Sequence, residues 1–521
     1  MVSVEKTDVK PLLYRNSQEK YGKLYPVKET SLLLPSLVLL IGCLLVTVLI
    51  RYRLIFFVSP DIGGIESNVI YSIQRYMAGY PLYANPEIAP YSITQYSPVY
   101  YRIVAAIGYL AGVEPDDTLG VYRLSRVVSL TANGFYAALL FGLGKRFCLT
   151  TKASMAIAIT AFVLLPPQAY SRPDSLYILL VMATLYAVVR AIQAEQKKQE
   201  LNWLAGTVGL AALAIATKQS GIVLPFAVVG YYAFVNGHCL KGLVLGGCIG
   251  LAGLLFLIGF MPEHDPILLY ANIINGVNQG VDWSSFKINI VDHYFRTFSV
   301  HIAIGLPLCI WLIRQTKADY RWLGWSVLVL FGFSLSTSIK WGSALNYFTE
   351  YVALTGLVAA VWLNEQSFLV SKRGMGWPLL AFSAIFWAVV PNMTNFNWPL
   401  LMRSGALSET PYRQQKQIAD YLRDSLNLKS TDAVFVTNYN YCYLNGLLYR
   451  NCLIPQQDMI AAVMYPRKKL DYSALDKQIS QQGIRFLITR TGETATEFPG
   501  LTTAHYVLRR RFPQFDVYES R

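Results

Sequence analysis

The sequence predicts an α-helical polytopic membrane protein, a bundle of about eleven transmembrane helices followed by a small α/β domain outside the membrane. Three observations predict it. The chain has 521 residues and a mean hydropathy of +0.36, and only 15% of its residues are charged. Soluble domains carry roughly 25% charged residues, and repeated apolar spans produce such a deficit. Lys and Arg gather in short loops between the apolar runs, as the positive-inside rule requires of cytoplasmic loops. From about residue 392 the long apolar runs give way to alternating helix-like and strand-like patterns.

The elements follow in order. Residues 1–30 are polar and Lys-rich, unlike the start of a cleaved signal, and read as a cytoplasmic tail. Residues 31–50 form the first span, so the loop after it emerges outside. The run 98–113 is short, broken by Arg102 and followed by Glu114, Asp116 and Asp117. Acidic flanks anchor poorly to the cytoplasmic side, so this run reads as a juxtamembrane or re-entrant helix on the outer side. The remaining spans are then 121–143, 153–170, 175–192, 203–216, 222–235, 243–260, 300–313, 322–338, 351–363 and 377–390. This register puts the loops bearing Lys145, Lys197, Lys317 and Lys372 on the cytoplasmic side. Two outer loops, 51–120 and 261–298, are long. The second carries His264, Asp265, Asp282, Asp292, His293 and several aromatic residues, and loops of that length are often lids or binding elements.

Within 393–521, residues 411–426 and 473–482 have helical patterns and 433–437 and 485–489 strand patterns. Cys442 and Cys452 fall here, in an oxidising space on this topology, and could be a disulfide or two thiols. The seven cysteines have no metal-ligand spacing. Cys43, Cys248 and Cys309 lie in apolar runs and read as packing. The formal charge of +14 could suggest a nucleic-acid partner, but its placement in inter-span loops argues against one. No Walker loop, dinucleotide fingerprint, zinc motif or nucleophile elbow is present.

The stretch 59–83, SPDIGGIESNVIYSIQRYMAGYPLY, organises the functional reading. Two acids, Asp61 and Glu66, flank Gly63-Gly64 at a membrane exit and lead into an amphipathic helix that Gly79 and Pro81 end. On the predicted topology further polar groups collect on the same side: Arg75, Arg102, Arg172, Asp174, Lys218, Gln219, Lys340, Asn346, Tyr347 and Glu350. Ionisable groups at membrane depth cost about 2.5–3.5 kcal/mol each and are functional candidates by default. Snorkelling or a surface loop role is the bland alternative for Arg172, Asp174 and Lys218. Glu350, inside an apolar run and four residues from Asn346, is harder to explain that way.

The order of these residues resembles the GT-C superfamily of membrane glycosyltransferases, in particular glycosyltransferase family 39 and its protein-mannosyltransferase and aminoarabinose-transferase relatives. The resemblance runs through an acid in the first outer loop followed by Gly79 and Tyr83, then Ser97-Pro98-Val99-Tyr100 and Arg123-Leu124-Ser125-Arg126. It continues with Arg172 to Asp174, Lys218-Gln219-Ser220, and Gly342 to Glu350. Relatives often carry adjacent Asp-Glu in the first loop, whereas Asp61 and Glu66 are five apart, and the Lys that some place before Pro-Pro is missing.

The resemblance implies transfer of a hexosyl or pentosyl group from a polyprenyl-phosphate donor to a lipid, glycan or protein acceptor, with inversion, at the outer face of the plasma (inner) membrane. An acceptor hydroxyl needs a base as it attacks, so Asp61, with Glu66 second, is expected to be catalytic. Arg172, Lys218 and Arg102 are expected to meet the donor phosphate. Asp174, Gln219, Asn346, Tyr347 and Glu350 are expected to bind or orient substrate. Some members of the superfamily use a divalent cation, and the two separated acids leave that alternative open.

The competing classes are a non-catalytic polytopic scaffold and a secondary transporter. A transporter typically places its charges near the midplane in repeated halves. This chain shows no repeat, and its polar set lies toward one face.

Overall fold

The computed structural model describes residues 33–56, 66–164, 171–340 apart from 262, 278, 279 and 297, 345–365, 412–437, 443–455, and 470–521 apart from 494, 495, 497 and 499. Asp61, Cys442, the tail 1–30 and the expected span 377–390 lie outside the described residues.

Helix α1 (Leu33–Phe56) fills the first expected span. Helix α2 (Glu66–Met77) is the amphipathic helix of the opening stretch, and Gly79, at a positive φ of 84°, ends it. Helix α3 (Pro98–Leu110) starts with Pro at its first position, where a missing N–H costs nothing. The bundle then continues with α4 (Thr118–Arg146), α5 (Thr151–Leu164), α6 (Asp174–Ile192), α7 (Lys197–Thr217), α8 (Val223–Gly230) and α9 (Cys239–Gly259). Among the described residues four helices, α4, α6, α7 and α9, are long and apolar enough to cross a membrane. Among the described residues the other spans read from the sequence form helices too, but α5 and α8 are shorter than a bilayer needs.

The break between α7 and α8 has a local cause. Lys218 has an extended backbone (φ −150°, ψ 132°) and a 3-10 turn, Gln219–Ile222, follows. Gly221 then lies against the end of α7 so closely that a Cβ there would stand 2.5 Å from the Ile215 nitrogen. Only glycine permits that approach, and the turn presents Lys218 and Gln219 at the end of the helix.

The expected loop 261–298 is itself helical. It contains α10 (Pro266–Tyr270), which runs on as the π turn Ala271–Asn275, and α11 (Trp283–Phe286), which runs on as Lys287–Phe295. Helices α12 (Ser299–Ile313), α13 (Ala318–Thr337) and α14 (Thr349–Glu365) complete the described bundle. Tyr136, Leu140 and Leu143 of α4 pack with Val181, Leu185 and Val188 of α6 and with Leu354, Leu357 and Val361 of α14 in one core. Outward-facing Val38, Leu45 and Leu49 of α1 and Leu251, Leu254 and Leu255 of α9 are exposed, the apolar surface that lipid would cover.

After residue 411 the chain forms a helix over 412–425 and a sheet. Its five described strands run in the order β2-β1-β3-β5-β4. β1 (Val434–Val436) pairs in parallel with β2 (Cys452–Leu453) and with β3 (Phe486–Arg490). β5 (Phe515–Ser520) runs antiparallel to β3 and to the edge strand β4 (Tyr506–Arg511). Short helices Leu444–Leu447 and Ser473–Ser480 accompany it. The helices near 411 and 473 and the strands near 433 and 485 were legible in the sequence; β2, β4 and β5 were not. β2 is two residues long, and β4 reads YVLRRR, with most of its side chains exposed and no alternation to betray it.

The sheet does not stand apart from the bundle. Val69, Ile70 and Ile73 of α2 and Tyr100, Tyr101 and Val104 of α3 share one core with Val434, Phe435, Leu444 and Phe486. Gln74 of α2, fully buried, donates from Nε2 to the Pro115 carbonyl (2.7 Å), to Thr118 Oγ1 (3.1 Å) and to the Gly446 carbonyl (3.3 Å).

The topology has a direct check. Lys198 and Gln481 are both exposed, and the charge rule puts them on opposite sides. Lys198→Cys is expected to react with an impermeant maleimide only in inverted vesicles, and Gln481→Cys only in intact cells. Labelling of both from one side would overturn this topology.

Candidate active site

A buried ion pair starts at the first residue of α2. The Glu66 carboxylate is fully buried and is met by Arg126 of α4 in a bidentate pair, Nε to Oε1 at 3.1 Å and Nη2 to Oε2 at 2.8 Å. The Ser171 backbone N–H also donates to Oε1, at 2.6 Å. One carboxylate therefore ties α2 to α4 and to the turn that opens α6. The Arg126 guanidinium also lies 5.2 Å from the Tyr122 ring centre. Planar two-point pairing of this kind fixes orientation as well as supplying energy. Arg126 was visible only inside a motif. Its position in a long apolar helix is the signal that could have singled it out.

Directly after Ser171 come Arg172 and Asp174. Asp174 is the first residue of α6, where a carboxylate meets the positive end of the helix dipole. Its Oδ1 accepts from Lys218 Nζ at 2.8 Å, and its Oδ2 lies 3.2 Å from Arg172 Nε. Arg172 Nη2 donates to the Tyr96 hydroxyl at 3.0 Å. The Lys218 ammonium stands 5.2 Å from the Tyr347 ring centre and 5.5 Å from that of Tyr177. The N-terminus of α6 and the C-terminus of α7 thus deliver an Arg, an Asp and a Lys to one place. Burial alone would pull the Lys218 ammonium down, but Asp174, Tyr347 and Tyr96 outweigh it and hold the lysine charged above its usual range.

Other expected residues gather around this cluster. Gln219 donates to the Gln95 carbonyl at 3.1 Å, next to Tyr96. Tyr347 sits on the 3-10 turn Leu345–Phe348, held by the Ser334 hydroxyl, which donates to its carbonyl at 2.5 Å. Glu350, buried at the start of α14, lies within electrostatic range of Lys218 and Asp174. Tyr100 Oη lies 2.9 Å from Ser125 Oγ and 3.0 Å from Ser129 Oγ, and Ser129 donates to the Arg172 carbonyl at 3.4 Å. Tyr96 and Tyr100 were not singled out as site residues. Tyr100 lies in the apolar pattern of α3, and Tyr96 in the short segment before it.

Arg102 is placed differently. Its Nη1 donates to the Phe260 carbonyl at 3.0 Å, capping the end of α9, so the structure does not join it to Arg172 and Lys218. Of Asn346 the structure describes only the backbone, and Asp61 lies outside the described residues. Among the described residues no group of three or more His, Cys, Asp or Glu side chains could hold a metal ion.

Comparisons with known proteins bear on the fold. Residues 97–264 match the family model described as dolichyl-phosphate-mannose-protein mannosyltransferase. The structure is similar to that of ArnT from Cupriavidus metallidurans bound to undecaprenyl phosphate, with a TM-score of 0.60 at 14% identity over 92% of this chain and 97% of that one. It is also similar to the archaeal oligosaccharyltransferase AglB from Archaeoglobus fulgidus in complex with an inhibitory peptide and a dolichol-phosphate. There the TM-score is 0.55 at 10% identity, over 87% of this chain and 69% of that one. No curated protein sequence matches the chain. The fold is that of these ArnT and AglB structures.

The buried pair makes a stability prediction. Removing one partner of a buried ion pair leaves the other charge uncompensated, at a cost of about 3–5 kcal/mol. Arg126→Met is therefore expected to lower the thermal midpoint of the detergent-solubilised protein sharply, and the double variant Arg126→Met/Glu66→Gln to recover part of the loss. Equal midpoints for the wild type and Arg126→Met would refute the role assigned to the pair.

Proposed function

We propose that this protein is a membrane glycosyltransferase that moves a hexosyl or pentosyl group from a polyprenyl-phosphate donor to an acceptor hydroxyl at the outer membrane face, with inversion. The observation that carries this reading is the convergence of Arg172 and Lys218 on Asp174 at the N-terminus of α6. A lipid phosphate needs just such a place: fixed cations, a helix N-terminus and a wall of membrane helices for its tail. Matches to structures that hold undecaprenyl phosphate and dolichol-phosphate support the same assignment.

The chemistry balances without a covalent intermediate. The acceptor oxygen attacks the anomeric carbon as its proton passes to a carboxylate, and the bond from that carbon to the phosphate oxygen breaks. The lipid phosphate leaves with the electron pair, and Arg172 and Lys218 stabilise the charge as it develops. Asp61 is the base in this scheme. Glu66, the second choice from sequence, is occupied by Arg126 and the Ser171 N–H. These donors occupy both of its oxygens and leave it poorly placed to take a substrate proton, so Glu66 orients the loop instead.

Asp174 orients Arg172 and Lys218, and Gln219, Asn346, Tyr347 and Glu350 contact the sugar. The chain divides into a cytoplasmic tail (1–30), a membrane domain (31–392) and an exoplasmic α/β domain (393–521), with the protein resident in the plasma (inner) membrane. The acceptor is a lipid, a glycan or a protein.

Each charge-assisted hydrogen bond to the phosphate contributes about 1.5–3 kcal/mol. Arg172→Ala and Lys218→Ala are accordingly expected to slow transfer from a synthetic polyprenyl-phosphate sugar by about ten- to a hundredfold. Wild-type rates in both folded variants would remove them from the donor site. A general base contributes typically about 10²–10⁴-fold. Asp61→Asn is expected to abolish turnover while calorimetry still shows donor binding, and Glu66→Gln to be milder per folded molecule. A dead Glu66→Gln beside an active Asp61→Asn would move the base to Glu66.

A further inference from the structure

The segment between α9 and α12 has two unlike sides. One is fastened to the rest of the protein. Glu263 Oε1 accepts from the backbone N–H groups of Leu82 and Tyr83. Asn272 Oδ1 accepts from the Thr94 N–H at 2.8 Å, and its Nδ2 donates to the Ala84 carbonyl at 2.9 Å. Leu269 and Ile273 are buried in one core with Tyr91, Ile93 and Tyr96. The segment therefore grips residues 82–96, the stretch that brings Gln95 and Tyr96 to the ion cluster.

The other side is apolar and uncovered by the described residues. Ile267 is 76% exposed, and Tyr270 and Ile274, three and seven positions on, are exposed with it. Val281 and Trp283 extend the same character, Trp283 at 65% exposure. Helical spacing puts Ile267, Tyr270 and Ile274 on one stripe. The stripe begins shortly after the end of α9, whose exposed Leu251, Leu254 and Leu255 form a lipid-facing surface. Tyr and Trp beside aliphatic residues are the side chains that settle at the boundary between acyl chains and headgroups. Lys287 and Asp292, exposed further along, suit the headgroup level.

We propose that the face formed by Ile267, Tyr270, Ile274, Val281 and Trp283 lies in the lipid interface beside the end of α9, as a monotopic anchor. Through Glu263 and Asn272 it holds the 82–96 wall of the candidate site at a fixed depth. The inference rests on the membrane topology and not on the transfer reaction. It is tested in the full-length protein, reconstituted in phospholipid nanodiscs, with the photocrosslinker benzoylphenylalanine replacing Tyr270, Trp283 or, as control, the exposed Gln481. Irradiation is expected to add the mass of one phospholipid at 270 and at 283, and none at 481. Ile267→Glu is expected to lower the adduct yield at 270, and being an exposed position it leaves the fold intact. Crosslinking of 270 and 283 to a second copy of the chain, recovery of both without a lipid adduct, or equal lipid adducts at 481 would each overturn the proposal.

Discussion

The Glu66–Arg126 pair is the constraint on which the rest of the candidate site depends. It joins the start of α2, the middle of α4 and the backbone of Ser171. Because Ser171 directly precedes Arg172, the depth of the pair also sets where the Arg172–Asp174–Lys218 cluster begins. A buried carboxylate satisfied by a guanidinium and a backbone N–H is expensive to rearrange, since each partner left alone would be an uncompensated polar group in an apolar interior. The Arg172–Asp174–Lys218 cluster is therefore held in place from the Glu66–Arg126 pair.

Much of this was legible in the sequence, for identifiable reasons. Apolar runs and basic loops marked the helices, because the bilayer penalises both polar side chains and unpaired backbone. Arg172, Asp174 and Lys218 stood out because charge at helix ends in an apolar chain needs a reason, and the structure brings these three together. Arg102 stood out on the same grounds and proved to cap α9 at the Phe260 carbonyl. Hydropathy locates a charge along the chain but cannot tell a ligand contact from a helix cap. Tyr96 and Arg126 were missed as site residues for the complementary reason: their importance lies in partners 76 and 60 positions away.

The break between the expected spans 203–216 and 222–235 was legible in the sequence; that α8 is a short helix flanked by a 3-10 turn and a π turn was not. The cause is local, in the extended Lys218 and the close approach of Gly221 to Ile215. The break turns the end of an otherwise ordinary helix into a place where a lysine faces inward.

The shared core of α2 and the sheet bears on the order in which the protein becomes complete. Gln74 bonds to the Gly446 carbonyl, 372 positions later in the chain. During synthesis α2 emerges early, and the surface that covers Val69, Ile70 and Ile73 is made only near the end. Contacts of such separation form late, since the intervening chain must first be closed into a loop. Helix α2 thus waits, partly uncovered, for the last quarter of the polypeptide, and a nascent chain that stops short of the sheet would leave Val69, Ile70 and Ile73 without the core that covers them.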